Sequence, residues 1–158
     1  MLFRSLNNAL IGAAGNDQLR GQEGDDSLIG GVGDDILSGG DGIDNFVFSG
    51  NGDFIVSGLG SDVITDFTSG KDKILLSKGV FGAVQSTVGN AFSQTLEFAT
   101  VDDDDLASTS NAFIVYCGNS GSLYYNQNGS LAGWGSGGEF ANLLTFPALT
   151  ATDFQLIS

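Results

Sequence analysis

The sequence predicts an all-β protein: a solenoid of short strands and turns, followed by a C-terminal β domain. Three observations predict the solenoid. Six aspartates, Asp17, Asp26, Asp35, Asp44, Asp53 and Asp62, stand nine residues apart. An apolar residue follows each by two: Leu19, Leu28, Leu37, Phe46, Ile55 and Ile64. Glycine stands two places before five of them (Gly15, Gly24, Gly33, Gly42 and Gly60), with Asn51 the exception. Self-similarity at a short fixed period marks units too small to bury a core alone, which stack on their neighbours. Gly/Asp/Ser-rich composition also suits a solvated linker, but a linker has no reason to keep this phase.

Within a unit the last three residues, such as Ile36, Leu37 and Ser38, suit a very short strand with one inward apolar side chain. The glycine-rich six before them must turn, and glycine lets a turn aim several carbonyl oxygens at one place. A cage of carbonyls and carboxylates is what a hard cation such as Ca²⁺ requires, with 6–8 oxygens at about 2.3–2.6 Å. Two units make a coil, so the expected partners are Asp17 with Asp35, Asp26 with Asp44, Asp35 with Asp53, and Asp44 with Asp62. Stacked coils lie about 4.8 Å apart, where two bare carboxylates repel by about 3 kcal/mol at an effective dielectric near 20. Metal and fold are therefore expected to be coupled, with the cation-free repeats largely unfolded.

Read as Gly-Gly-x-Gly-x-Asp-x-apolar-x, Gly30 to Ser38 (GGVGDDILS) and Gly39 to Val47 (GGDGIDNFV) fit throughout. This resembles the calcium-binding nonapeptide repeat of RTX proteins, which implies a parallel β-roll holding several Ca²⁺ ions. The resemblance also implies carbonyl ligands two and four places before each aspartate, hence Gly15, Gly24, Gly31, Gly33, Gly40, Gly42, Gly58 and Gly60 beside the six acids. The unit Phe48 to Val56 is expected to carry a weakened half-site because of Asn51. Asn8 and Leu10 sit in phase without an acid, as a degenerate edge. Asp25, Asp34, Asp41 and Glu23 read as solvated negative surface around the turns, with joining the cage as the alternative.

Nineteen acidic residues against five basic ones give a net charge of −14. Such a chain repels nucleic acid and anionic membranes and attracts divalent cations. No stretch approaches the roughly 20 apolar residues of a membrane span, and no Sec-type signal opens the sequence. Cys117 is the single cysteine and reads as a small buried hydrophobe. Histidine is absent, which removes histidine-based zinc sites, the Ser-His-Asp triad and the Cys-His dyad. Paired carboxylates could in principle hydrolyse glycosides, but the repeat already accounts for nearly every acid, so the chain is expected to be no enzyme. The run Asp102 to Asp105 reads as a solvated acidic turn, with a further calcium site as the alternative.

After Thr65 the composition changes. Asp62 to Ser77 (DVITDFTSGKDKILLS) is similar to the element that follows the repeats in the serralysin C-terminal domain family, through Asp66, Phe67, Gly70, Asp72, Ile74 and Leu76. Val63, Ile64, Phe67, Ile74 and Leu76 are expected to cap the open end of the last coil, with Lys71, Lys73 and Lys78 beside the acidic roll. Strands are then expected at 95–99, 112–116, 122–126, 140–145 and 154–157, with Gly118 to Gly121 as a hairpin turn. Phe92, Phe98, Phe113, Tyr125, Trp134, Phe140, Phe146 and Phe154 are expected to fill one compact β core packed on the end of the roll. The alternative for the Trp134 loop is a sugar-binding platform.

The ending (Leu149-Thr150, Asp153-Phe154, Leu156-Ile157) also resembles that family, which implies a C-terminal signal read by type I secretion machinery and an extracellular location. Leu2-Phe3-Arg4-Ser5 resembles a translated sequencing-adapter remnant, so residues 1–5 are expected to be foreign and the natural chain longer. The expected organisation is 1–66 repeats, 67–80 capping element and 81–158 C-terminal β domain. The expected function is that of a calcium-ion-binding C-terminal module of a secreted RTX protein that folds on Ca²⁺ after export. Its rivals are the tail of a serralysin-like metalloprotease or a lipase, and a polysaccharide-binding module of an alginate epimerase or adhesin.

Overall fold

The computed structural model describes residues 6–50, 52–93, 96–129, 131 and 133–158. The segment Leu2 to Ser5, Asn51 and the start of the strand expected at 95 lie outside them. Two sheets face each other across one core. In the first, β1 (Ala9–Ala14), β3 (Ser27–Val32), β5 (Asn45–Phe48), β7 (Lys73–Ser77) and β12 (Phe154–Ile157) lie side by side in that order, all parallel. In the second the order is β2 (Gln18–Glu23), β4 (Ile36–Asp41), β6 (Asp62–Ile64), β11 (Gly138–Leu143), β10 (Ser122–Tyr125), β9 (Ile114–Cys117) and β8 (Phe98–Val101). This is a parallel β-roll: the chain alternates between sheets, and like side chains stack.

Register makes the stacking explicit. Leu10 pairs with Leu28, Leu28 with Phe46, Phe46 with Ile74 and Ile74 with Phe154, forming one inner column. Leu19, Leu37, Ile64 and Leu143 form the facing column. Strands β1 to β4 have six residues each rather than the expected three. The residues after each apolar triplet stay extended and pair, Ala13 opposite Gly31 and Gln22 opposite Gly40.

The nine-residue count fails after β5. Leu37 pairs with Ile64, 27 residues on, instead of with Ile55. Residues 49–50 and 52–59 leave the stack, through the single-turn helix α1 (Val56–Leu59), and the chain returns at Gly60, just before β6. Within this excursion Phe54 turns inward, 1% exposed, while Ile55 is 60% exposed. The aromatic site that receives Phe54 explains this: its ring lies 5.5 Å from Phe81, 5.0 Å from Tyr125 and 6.3 Å from Phe140.

The segment 67–80 is not a terminal cap. It runs through β7, an inner strand between β5 and β12, with Phe67, Ile74 and Leu76 buried among the stacked side chains. The C-terminal strands likewise extend both sheets: β12 pairs with β7 and β11 with β6, both in parallel. Strands β10 and β9 add an antiparallel hairpin, and β8 lies parallel to β9. Phe92, Tyr125, Phe140 and Phe154 are buried as expected, whereas Phe146 is 53% exposed. Trp134 is half-buried and stacks on Tyr124, with centroids 4.9 Å apart, beside a separate small cluster of Ala107, Ala112 and Val115. Cys117 is buried and unpaired. Among the described residues no helix is long and apolar enough to cross a membrane.

Candidate metal centre

The roll brings its aspartates into two columns, one along each row of turns. In the first, the Asp17 N–H donates to Oδ1 of Asp35 (2.7 Å), and the Asp35 N–H to Oδ1 of Asp62 (3.1 Å). In the second, the Asn8 N–H donates to Oδ1 of Asp26 (2.7 Å), Asp26 to Asp44 (2.9 Å) and Asp44 to Asp72 (3.1 Å) in the same way. One oxygen of each acceptor therefore locks the coil before it. Asp17 with Asp35 and Asp26 with Asp44 stack as expected. Asp35 stacks on Asp62 rather than Asp53, and Asp44 on Asp72 rather than Asp62, because one repeat is looped out. Asp53 is exposed within that loop, and Gly58 lies in α1, its N–H donating to Ile55.

The other carboxylate oxygen distinguishes these acids. Asp26, Asp35 and Asp44 are 1% exposed, and Asp62 and Asp72 are 3% exposed. Oδ2 of Asp17, Asp26 and Asp35 is buried with no hydrogen-bond partner. An ionised oxygen without a donor or counter-charge in such a place costs several kcal/mol, so the site is built for a positive partner. Among the described residues no three acidic, cysteine or histidine side chains converge. A cation here would therefore draw most of its oxygens from the backbone, as calcium readily does.

The turn backbone fits that demand. Gly15, Gly24, Gly31, Gly33, Gly40, Gly42 and Gly60 all have positive φ. A Cβ on Gly31 would fall on the Ala13 carbonyl, and one on Gly33 on the Gly15 carbonyl. The carbonyls four and two places before Asp17 thus face the next coil, where only glycine leaves them room. Gly40 and Gly42 repeat this arrangement against Gln22 and Gly24, and Gly60 against Gly33. A further glycine column escaped the sequence reading. At Gly12, Gly21, Gly30 and Gly39 a Cβ would strike the carboxylate of Asp17, Asp26, Asp35 and Asp44 respectively. Its signal was a glycine five places before each of the first four acids, doubled only at Gly30 and Gly39.

Asp72 was also missed as a column member, although Gly70, Asp72 and Ile74 repeat the glycine, acid and apolar spacing out of phase. Asp66 closes the edge of β4, accepting from the N–H groups of Gly39 and Gly40 (both 3.0 Å) and from Ser38 Oγ (2.7 Å). A second ladder runs outside the first. Asn16 Oδ1 accepts from the Asp34 N–H, Asp34 Oδ1 from Ser61 and Asp25 Oδ1 from Ile43.

Electrostatics agrees with the geometry. Burial raises the Asp35 and Asp44 carboxyls above their ordinary value, against backbone hydrogen bonds, with Asp17 and Asp34 adding for the one and Asp72 and Asp26 for the other. Asp62 is pushed up to about 7 by burial, with Asp35 and Asp34 contributing. A bound cation would reverse each of these shifts. The run Asp102 to Asp105 is exposed and does something else: Asp103 accepts from the Asp105 N–H at the start of the single-turn helix α2 (Asp104–Ala107), and Asp104 accepts from Ser120 Oγ and the Tyr124 hydroxyl.

Residues 11–46 match the family described as RTX calcium-binding nonapeptide repeat (4 copies). Over nearly the whole chain the fold is similar to the solution structure of the AlgE6R3 subunit from the Azotobacter vinelandii mannuronan C5-epimerase. That similarity has a TM-score of 0.55 and 26% identity, and covers 97% of this chain and 80% of that one. No curated protein sequence matches significantly.

Proposed function

We propose, from the premise that residues 11–46 are RTX calcium-binding repeats wound as a β-roll, that this chain is a calcium-gated folding module of a secreted protein. Calcium would sit between successive turns at Asp17, Asp35 and Asp62 on one side and at Asp26 and Asp44 on the other, with the turn carbonyls completing each shell. The observation that carries this is the set of three buried carboxylate oxygens without partners, at Asp17, Asp26 and Asp35. When bound, the ion supplies the charge that lets these acids be buried ionised.

The reading extends to export by type I machinery before folding, with extracellular calcium then ordering the repeats. An extracellular location and the absence of chemistry in this chain belong to the same proposal. Its test is far-UV circular dichroism of the purified chain, titrated with Ca²⁺ from a chelated start with Mg²⁺ as control. A cooperative gain of β signal specific to Ca²⁺ is expected; a spectrum indifferent to Ca²⁺ would sink the reading.

A second reading, direct polysaccharide binding, is favoured by two observations. One structural neighbour is a subunit from a mannuronan C5-epimerase, and Trp134 lies half-buried against Tyr124. Glycan binding at fixed Ca²⁺ that is lost in Trp134→Ala would support it, and unchanged binding in that variant would remove the site.

A further inference from the structure

Phe146 is an aromatic residue that the fold neither buries nor leaves in an ordinary conformation. It is 53% exposed, and its backbone lies in the left-handed region, φ 48°, which a bulky side chain rarely occupies. Its surroundings hold it there. The Phe146 N–H donates to the Leu143 carbonyl, and the Thr145 hydroxyl donates to the Phe67 carbonyl (2.7 Å). Pro147 disfavours the right-handed helical region at the residue before it. Strain of this kind is concentrated at ligand clamps and switch regions.

Phe146, Pro147 and Leu149 line a cleft of about 320 Å³ together with Thr100, Asp102 and Tyr116. Apolar walls with a few polar groups are the usual make-up of a binding cleft. Tyr116 is 1% exposed, and its hydroxyl is buried with no hydrogen-bond partner.

The cleft adjoins an open sheet edge. Strand β8 is the last of its sheet, and among the described residues no strand lies on its outer side. The Glu97 and Val101 carbonyls accept from the N–H groups of Ile114 and Gly118. The alternation of a parallel ladder therefore turns the N–H and C=O of Thr100 toward the open side. An unpaired edge beside a cleft is the arrangement that recognises an extended peptide, with backbone bonds giving affinity and a pocket for a side chain giving specificity. Charge selects the peptide. Asp102 lines the cleft, no basic residue does, and Asp103 and Asp105 stand exposed just beyond it. Such a place attracts a basic segment and repels an acidic polysaccharide.

We propose that β8 and the cleft beside Phe146 bind an extended, basic segment of a partner protein. The segment adds as a strand to the open edge of β8, seats an apolar side chain against Phe146 and Leu149, and places a cation near Asp102. None of these residues belongs to the aspartate columns, so the proposal does not rest on the calcium reading.

The test is fluorescence anisotropy of the full chain in Ca²⁺ with a labelled peptide of alternating lysine and valine. The same peptide N-methylated at alternate residues keeps its charge but cannot pair as a strand, and should bind ~10-fold more weakly. Phe146→Asn should also weaken binding ~10-fold without lowering Tm, because asparagine tolerates the left-handed region. Asp102→Asn should weaken it about threefold. No binding, equal affinity for the two peptides, or equal affinity of the parent chain and Phe146→Asn would overturn the proposal, leaving at most non-specific attraction to the net charge. A fall in Tm with Phe146→Asn would give the strained residue a structural role and remove the argument from it. Unchanged affinity in Asp102→Asn would overturn the choice of a basic segment, and displacement of the peptide by a polyuronate oligosaccharide would assign the cleft to a glycan instead.

Discussion

Ala13 and Gln22 hold left-handed backbones, φ 81° and 79°, at the places four before Asp17 and Asp26 that Gly31 and Gly40 fill in the next coil. A side chain there costs about 1–2 kcal/mol, partly offset by the extra chain entropy that glycine loses on folding. Ala13→Gly and Gln22→Gly should therefore each stabilise the calcium-loaded protein by about 0.5–1 kcal/mol. Thermal denaturation at saturating Ca²⁺ should show a higher Tm, and an unchanged or lower one would mean that the turn does not impose this angle. The acids and their flanking glycines are legible in the sequence because each position tolerates so few residue types. Ala13 and Gln22 are not, since nothing in either side chain asks for positive φ; the stacked neighbours impose it.

At the scale of elements, the excursion through α1 between β5 and Gly60 is the feature that a nine-residue count misreads. Asp53 and Ile55 keep the phase, yet the stack passes from Asp35 to Asp62. Counting residues cannot reveal which unit pairs, and the attraction that decides it is tertiary, the docking of Phe54 among Phe81, Tyr125 and Phe140. Asp53→Ala should consequently change stability by less than about 0.5 kcal/mol, as at other exposed sites. Asp62→Asn should raise the Ca²⁺ concentration needed for folding roughly tenfold, the equivalent of about 1.4 kcal/mol. Calcium titrations of the two variants followed by circular dichroism make the comparison, and equal midpoints would contradict the register. The hairpin of β9 and β10 was legible from Gly118 to Gly121 between two apolar runs, because a tight turn needs only local chemistry.

The whole molecule carries a net charge of −14 and buries part of it in two columns, so its stability should depend on pH in a definite sense. With Asp35 and Asp44 raised and Asp62 pushed from 3.8 to about 7, the cation-free native state holds protons that the unfolded chain has released. Their contribution is present below about pH 4 and is lost as pH rises toward about 7. For Asp62 alone the span corresponds to on the order of 4 kcal/mol. Asp153 acts in the opposite sense at lower pH: burial pushes it up, but hydrogen bonds led by those from Gly70 and Thr150 leave it below its ordinary value. Calcium binds the ionised form, so its affinity should rise through the window in which the cation-free protein weakens. Thermal melts in chelator and calcium titrations from pH 4 to pH 8 should show these opposite trends, and parallel trends would refute the buried columns. The sequence by itself determined the repeat, its acids, the inward apolar positions and the all-β class, because each follows from residue types at fixed local spacing. Only the tertiary structure decided which coils stack, that one repeat is looped out, and that β11 and β12 extend the two sheets of the roll. Those choices depend on aromatic packing and hydrogen bonds between residues up to 84 apart in the chain, where no local pattern carries the information.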